Sequence, residues 1–207
     1  MGITAIFGGT FNPPHIGHYE MLRSLENNPD IEEIMLLPDR IPPHKVCDFL
    51  ASNSDRINMC RLLSAEFKKA ALCLIEFERE GKSYSIDTVR LLKRKYPQKS
   101  FAFVCGGDML ISFDKWYKYE ELLREIPFIV FRREGCDGEE FDRRAEYFIS
   151  LGMNLTVPED KIPAVSSTFI RNNAEKAGIL SSGTVKAREY LPKPIYEYIK
   201  NGGIYRV

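Results

Sequence analysis

The sequence predicts an α/β fold in which one doubly wound, mainly parallel sheet is followed by a C-terminal helical extension. Two observations support this prediction: short apolar runs alternate with amphipathic segments, and paired glycines directly follow two of the runs. A strand of a parallel sheet is covered on both faces, so it is apolar throughout. Alternation of such strands with helices is typical of βαβ units.

Six apolar runs are the candidate strands, and the sixth is the weakest. They are 3–7, 34–37, 71–77, 101–105, Phe128–Phe131 and 154–157. The amphipathic segments between them are the candidate helices. These are 18–25, 55–69, 86–96 and 141–151. Ser85 stands directly before the third helix, where a hydroxyl side chain commonly caps the first backbone amides.

Strand patterns stop near residue 160, and helical patterns follow. They cover Ser167–Ala177, 184–191 and 194–200. No repeat, low-complexity linker or shift in composition divides the chain, so we expect a single domain over residues 1–207. Its sheet is predicted within 1–160 and its helical part within 161–207.

Composition excludes several classes of function. Lys and Arg number 29, as do Asp and Glu, so no net positive field favours nucleic acid or an acidic membrane. The five cysteines contain no C-x-x-C pair, which disfavours a disulfide framework or a zinc knuckle. Without a signal peptide or an apolar stretch of membrane length, a cytoplasmic protein is expected. The sequence leaves open whether the protein forms a homo-oligomer.

Residues 8–18, Gly-Gly-Thr-Phe-Asn-Pro-Pro-His-Ile-Gly-His, are the strongest candidate for chemistry. Glycines after a strand let backbone amides approach a phosphate, and the following helix start adds unpaired N–H groups. His15 and His18 lie three residues apart, so they share a helix face. For a lone pair of histidines, an ordinary turn and surface imidazoles would be the better interpretation. The strand, the glycines and the two prolines together favour a phosphate site.

The sequence does not match two other common phosphate-binding motifs. Gly81-Lys82-Ser83 resembles the end of a Walker A loop, but the position of its first glycine holds Glu76. The G-x-G-x-x-G pattern of dinucleotide-binding folds does not occur in the sequence.

Two segments resemble the signatures of one enzyme superfamily. Residues 11–18 contain the H-x-G-H pattern of the nucleotidylyltransferases, and residues 165–171 contain their S-S-T-x-x-R pattern. Their joint occurrence is more specific than either alone. Further segments are similar to bacterial nicotinate-nucleotide adenylyltransferases: 42–45, 83–88, 106–108, 116–117, 132–133 and the ending 191–205. The chain departs from that family at Ser85, where the family often has threonine. Serine keeps a small hydroxyl side chain at this position.

The resemblance implies a Rossmann-like fold and transfer of AMP from ATP to nicotinate mononucleotide. The products are nicotinate adenine dinucleotide and pyrophosphate, in NAD biosynthesis. Mg²⁺ is implied with ATP, held mainly by phosphates and water, so no protein ligand is predicted. Two alternatives stay open. One is another nucleotidylyltransferase, of the pantetheine-phosphate or cytidylyl type, and the other is a non-catalytic nucleotide-binding regulator.

The resemblance also implies roles for individual residues. The implied catalytic residues are His18, His15 and Arg171. The implied ATP contacts are Gly8, Gly9, Thr10, Phe11, His15, His18, Gly106, Asp108, Ser167, Thr168 and Arg171. The implied contacts with nicotinate mononucleotide are Asn12, Lys45, Tyr84, Ser85, Trp116, Tyr117 and Arg133.

Simpler roles remain for several of these residues on the sequence alone. Asp108 also fits a turn or a helix cap, and Trp116 also fits the core. Residues 166–168 also fit a plain N-cap cluster. Either Arg132 or Arg133 could face the site.

Overall fold

A computed structural model describes residues 2–42, 49–135, 138–177 and 187–205 of the protein, and at 173–177 and 187 it describes only the backbone. Six strands form one sheet in the order β3-β2-β1-β4-β5-β6, and every neighbouring pair is parallel. The strands are β1 (Ile3–Gly9), β2 (Ile31–Pro38), β3 (Ala70–Leu72), β4 (Ser100–Gly106), β5 (Phe128–Phe131) and β6 (Leu155–Thr156). The predicted doubly wound fold is confirmed.

Helices cover both faces of the sheet and continue after its last strand. They are α1 (Ile16–Asn27), α2 (Asn53–Ser64), α3 (Ser85–Lys95), α4 (Gly107–Ile111), α5 (Tyr119–Glu125), α6 (Glu139–Ser150), α7 (Ser167–Ala177), α8 (Ala187–Tyr190) and α9 (Lys193–Gly202). The predicted C-terminal helical extension is therefore present. Of the helix predicted at 184–191, residues 184–186 lie outside the described residues.

Two apolar clusters hold the layers together, one on each face of the sheet. The first joins β1 and β2 to α1, α2 and α9, with Leu22, Met59 and Ile195 fully buried. The second joins the other face to α3, α5 and α6, with Phe113 and Phe148 at its centre. Within the described parts of the chain, no helix has both the length and the apolar character needed to cross a bilayer.

The strand order places β1 and β4 side by side at the middle of the sheet. The chain winds outwards from this point in both directions, so the connections after β1 and β4 leave on opposite faces. A crevice opens at such a switch point, outside the carboxyl ends of the strands. Here β1 ends at Gly9 and β4 at Gly106. Both glycine pairs therefore lie where a ligand is expected.

The structure differs from the sequence prediction around the third strand and the third helix. The apolar run at 71–77 forms only the three residues of β3, followed by a 3-10 turn at Ile75–Phe77. Ser85 is the first residue of α3 rather than its cap. Tyr84 holds the cap position, and no side chain among the described residues caps this helix.

Helix α2 differs in the face it buries. Helical spacing predicted an apolar stripe of Ile57, Leu62, Leu63 and Phe67. Leu63 is buried as predicted, and Leu62 and Phe67 pack half-buried against the first apolar cluster. Ile57 is only half-buried, and the buried face also contains Met59, Cys60 and Arg56, which the spacing did not predict. The predicted helix also ran to residue 69, whereas α2 ends at Ser64. Because the charged residue Arg56 lies on the buried face, the positions of the apolar residues did not indicate correctly which face of α2 is buried.

Arg56 is fully buried because its guanidinium is held by the backbone of the β1–α1 connection. Its Nη1 donates to the carbonyl of Thr10 at 2.9 Å, and its Nη2 donates to the carbonyl of Arg40 at 3.4 Å and to Oδ1 of Asn53 at 2.6 Å. Carbonyls in irregular backbone need such donors when they are buried. Arg56 thus fixes the loops that follow β1 and β2.

We expect the substitution Arg56→Ala to lower the free energy of unfolding by about 2 to 4 kcal/mol, because it leaves buried carbonyls without a donor. The matched control is Arg61→Ala on the same helix. Arg61 is exposed and donates to Asn58, so its loss should cost no more than about 0.5 kcal/mol. Urea unfolding followed by circular dichroism measures both. Equal small effects would show that Arg56 does not hold the loop.

Candidate active site

The connection between β1 and α1 turns sharply at Phe11. Phe11 has a φ of 49°, a left-handed conformation that is uncommon for a residue other than glycine. Its buried ring packs edge-on against Phe7 and His18, with ring centroids 5.6 and 5.0 Å apart. The ring thereby forms a wall against which the His18 imidazole rests.

His15 and His18 form the cap of α1. Nδ1 of His15 accepts the N–H of Gly17 at 3.1 Å, and Nδ1 of His18 accepts the N–H of His15 at 3.1 Å. The two rings lie 3.7 Å apart between centroids. Because Nδ1 is the acceptor in both rings, each neutral imidazole carries its hydrogen on Nε2. The pair thus offers two Nε2–H donors at the start of a helix.

The second sequence segment closes on this loop from α7. Oγ of Ser167 donates to the carbonyl of Pro13 at 2.9 Å, and Nη1 of Arg171 donates to the carbonyl of Asn12 at 2.7 Å. Nη2 of Arg171 also donates to Oγ1 of Thr168 at 3.2 Å. Two segments far apart in the sequence therefore meet at one loop.

The side chain of Asn12 is occupied by protein partners. Its Oδ1 accepts from the Ala51 amide at 3.0 Å and from the Tyr205 hydroxyl at 2.7 Å, while its Nδ2 donates to the carbonyl of Phe49 at 2.9 Å. Asn12 is only 1% exposed. A contact between this side chain and the mononucleotide would require these bonds to break, so that role stays a prediction.

The opposite wall follows β4 and β5. Nη2 of Arg133 lies 3.1 Å from Oδ1 of Asp108. A Cβ on Gly106 would lie only 2.7 Å from that same oxygen, so a side chain at this position would displace the Asp108 carboxylate from where it now lies. Of the two candidate arginines, Arg133 lines the cavity. Arg132 instead pairs with Asp142 and stacks over Phe141.

An aromatic pocket extends the cavity beyond Gly106. Trp116 contacts the core rings Phe103 and Phe113, at 5.8 and 5.3 Å between centroids, and also lines the cavity. Tyr117 is 48% exposed and packs against Tyr84, with centroids 4.5 Å apart. Ser85, the first residue of α3, borders the same space. A helix start without a side-chain cap favours an anionic group.

Cys105 lies beneath the cavity at the end of β4. Burial, with a smaller contribution from the Asp108 carboxylate, raises the pKa of its thiol well above the ordinary range. The thiol therefore stays protonated, and it is not a nucleophile. Among the described residues, no three His, Cys, Asp or Glu side chains converge as metal ligands would.

One cavity at the switch point gathers most of the predicted residues. Those that line it are Gly8, Gly9, Thr10, Phe11, His15, His18, Tyr84, Ser85, Gly106, Asp108, Trp116, Tyr117, Arg133 and Ser167. Three other predicted residues within the described parts of the chain are not among its lining residues: Asn12, Thr168 and Arg171, which are joined to one another by two hydrogen bonds of the Arg171 guanidinium. Lys45 lies outside the described residues.

Several side chains of the cavity wall were not predicted as site residues, among them the polar residues Asp39, Glu76, Ser83 and Thr88. Asp39 directly follows β2, and its amide donates to the carbonyl of Gly9 at 2.9 Å. Its position after a central strand was a usable signal, because all parallel strands end at the same edge. Glu76 had no such signal, since its apolar neighbours predicted a strand.

Comparisons with known proteins identify the relatives of the chain. The cytidylyltransferase-like family model matches residues 6–173. The nicotinate-nucleotide adenylyltransferase of Bacillus subtilis is 37% identical over 201 residues, covering 97% of this chain and 96% of the relative. A probable nicotinate-nucleotide adenylyltransferase of Halalkalibacterium halodurans is 37% identical over 204 residues, covering 97% of this chain and 90% of the relative.

Solved structures share the fold. A Plasmodium falciparum nicotinic acid mononucleotide adenylyltransferase has been solved in complex with APC and in complex with NaAD. Both superpose with a TM-score of 0.78 at 21% identity, covering 99% of this chain and 98% of the other. The family model and the relatives of higher identity show that the chain belongs to the cytidylyltransferase-like nucleotidyltransferases and, among them, to the nicotinate-nucleotide adenylyltransferase family.

Proposed function

We propose that the protein transfers the adenylyl group of ATP to nicotinate mononucleotide, releasing pyrophosphate and nicotinate adenine dinucleotide. The observation that carries this proposal is the meeting of the His15–His18 helix cap with the α7 segment across one loop. The aromatic pocket on the other side of the same cavity supplies a place for a flat ring.

The reaction needs no protein nucleophile, because the phosphate of the mononucleotide is itself able to attack the α-phosphate of ATP. Catalysis then depends on holding the two reactants in line and on stabilising charge on the phosphate oxygens. The Nε2–H groups of His18 and His15 donate to those oxygens, with His18 at the α-phosphate. Their Nδ1 atoms remain engaged by the backbone, which keeps both rings in place.

ATP lies along the β1–α1 connection and α7 in this proposal. Gly8, Gly9, Thr10 and Phe11 form the floor beneath the phosphates, since glycines let the backbone approach closely. Ser167, Thr168 and Arg171 border the phosphates from the start of α7. Asp108, beside Gly106, accepts hydrogen bonds from the ribose hydroxyls.

Nicotinate mononucleotide occupies the aromatic pocket. Trp116 stacks on the pyridine ring, with Tyr84 and Tyr117 at the rim. The carboxylate lies at the start of α3, where the amide of Ser85 and the helix dipole favour a negative charge. Arg133 adds positive charge on the adjacent wall, and Lys45 completes the predicted contacts. The side chain of Asn12 could join them only if its bonds to Ala51, Phe49 and Tyr205 broke, so Asn12 supports the loop instead.

A divalent cation accompanies ATP in this proposal, and we infer Mg²⁺. Among the described residues, three acidic side chains line the cavity: Asp39, Glu76 and Asp108. Glu76 is engaged by Arg79 and Thr88, so Asp39 and Asp108 are the carboxylates that could hold the waters of the cation. When bound, Mg²⁺ neutralises charge on the triphosphate while keeping several of its waters.

The direct test is pyrophosphate release by the purified protein with ATP and nicotinate mononucleotide. Turnover with this pair, and slower turnover with nicotinamide mononucleotide, would support both the reaction and the placement of the carboxylate. Preference for phosphopantetheine or for CTP would favour another nucleotidylyltransferase. ATP binding without any turnover would favour a regulatory protein.

We expect His18→Asn to lower kcat by about 100-fold or more while leaving the melting temperature near that of the wild type. The asparagine Oδ1 can replace Nδ1 as the acceptor of the His15 amide, but the Nε2–H donor to the phosphate is lost. Steady-state pyrophosphate release and thermal melting measure the two effects.

The matched control for this substitution is His18→Gln, which loses the other function of the imidazole. Glutamine can place an amide donor near Nε2 but leaves the His15 amide without its acceptor. It should retain more activity than His18→Asn and melt at a lower temperature. Normal turnover of His18→Asn would rule out a role for His18 at the reacting phosphate.

Trp116→Ala is expected to raise the KM for nicotinate mononucleotide by about tenfold or more, because stacking of a base on an aromatic ring contributes about 1–3 kcal/mol. The KM for ATP should change little. Trp116→Phe keeps a ring and should recover much of the affinity. An unchanged KM in the alanine variant, with a lowered melting temperature, would place Trp116 in the core alone.

A further inference from the structure

We propose that Tyr205, near the C-terminus, is a positioning residue for the phosphate loop and acts through Asn12. This inference rests on the function proposed above and adds a residue to it. The hydroxyl of Tyr205 donates to Oδ1 of Asn12 at 2.7 Å. Both residues are buried, with 4% and 1% of their surfaces exposed.

The C-terminal backbone is shaped to bring Tyr205 to this point. Helix α9 ends with Gly203 in a left-handed conformation, with a φ of 65°, and Ile204 donates back to the carbonyl of Ile199 at 3.2 Å. Tyr205 itself has a φ of 62°. A non-glycine residue in this region is strained unless its surroundings hold it. The hydrogen bond to Asn12 and an edge-on ring contact with Phe49 hold it here.

Asn12 is fixed from two separate parts of the chain. Tyr205 supplies one donor to Oδ1, and the Ala51 amide supplies the other at 3.0 Å. The Nδ2 group donates to the carbonyl of Phe49 at 2.9 Å. Removing the tyrosine hydroxyl therefore leaves a buried carbonyl oxygen with one partner fewer, which favours rotation of this side chain.

A shift of Asn12 would reach the catalytic groups through the backbone. The carbonyl of Asn12 accepts the Nη1 hydrogen of Arg171 at 2.7 Å, so it orients that guanidinium. The next carbonyl, of Pro13, accepts from Ser167. His15 caps α1 only three residues after Asn12. Small displacements of reacting groups cost large factors in rate, because catalysis here depends on alignment.

The test compares Tyr205→Phe with Tyr198→Phe. Each change removes one hydroxyl and leaves the ring. Tyr198 lies on α9, and its hydroxyl accepts from Asn58 at 3.1 Å and donates to Asp55 at 3.0 Å. It therefore ties α9 to α2 without contacting the phosphate loop. The control has a comparable structural cost but lacks the connection to Asn12.

In steady-state assays with ATP and nicotinate mononucleotide, Tyr205→Phe should lower kcat about tenfold, with both KM values within about twofold of the wild type. Tyr198→Phe should lower the melting temperature by a similar amount and keep kcat. In an Asn12→Ala background, Tyr205→Phe should cause no further loss of kcat. A kcat unchanged by Tyr205→Phe, or equally reduced by Tyr198→Phe, would overturn the proposal.

A second measurement does not need turnover. The chain has three histidines, so the imidazole signals in a nuclear magnetic resonance spectrum are few, and the His18→Asn variant with a His44→Gln variant assigns all three. Tyr205→Phe should shift the signals of His15 and His18, whereas Tyr198→Phe should not. If the wild type proved inactive with nicotinate mononucleotide, the proposed function would fail while this result would still decide the link. Unshifted signals in Tyr205→Phe would overturn the positioning role.

Discussion

The site depends on how the backbone between β1 and α1 satisfies its own carbonyl groups. This stretch is neither strand nor helix, so neither regular structure supplies donors for it. Donors come instead from distant side chains: Arg56 bonds the carbonyl of Thr10, Arg171 that of Asn12, and Ser167 that of Pro13. The loop is thus held by α2 on one side and by α7 on the other. Its shape is a property of the whole fold.

The two sides of the cavity, which meet at the switch point of the sheet, carry different chemical groups. The β1 side offers glycines, a helix start and two imidazoles, which suit phosphate oxygens. The β4 side offers aromatic rings, the uncapped start of α3 and the Arg133–Asp108 pair, which suit a planar anionic ring and a ribose. Because β1 and β4 are adjacent, a transfer between two nucleotides can take place at the boundary between the sides.

The fold and most of the residues that line the β1 side of the cavity could be predicted from the sequence. The predictions that were wrong or missing have physical reasons. Residues 8–18 predicted a phosphate site by their residue types and spacing, whereas residues 165–171 were recognisable only by their resemblance to a superfamily signature. The residues that support them were not. Arg56 contradicts the expectation that charged side chains lie at the surface, and only its carbonyl partners explain its burial. Tyr205 is 193 residues from Asn12, and no local pattern marks such a contact. The run at 71–77 predicts a single strand because an apolar run by itself does not distinguish a strand from a strand followed by a 3-10 turn.

The cap of α1 also constrains the kind of catalysis that the two histidines can perform. Both Nδ1 atoms accept backbone N–H groups, of Gly17 and of His15. A protonated imidazole carries hydrogens on both nitrogens, so its Nδ1 would face a donor with a donor and the cap would open. The folded cap therefore fits rings that accept at Nδ1 and carry their hydrogen on Nε2. In the proposed reaction such rings donate hydrogen bonds to developing charge, but with Nδ1 engaged and a hydrogen on Nε2 they are poorly suited to accept a proton. This matches a reaction whose nucleophile, a phosphate monoester, is already ionised and needs no general base.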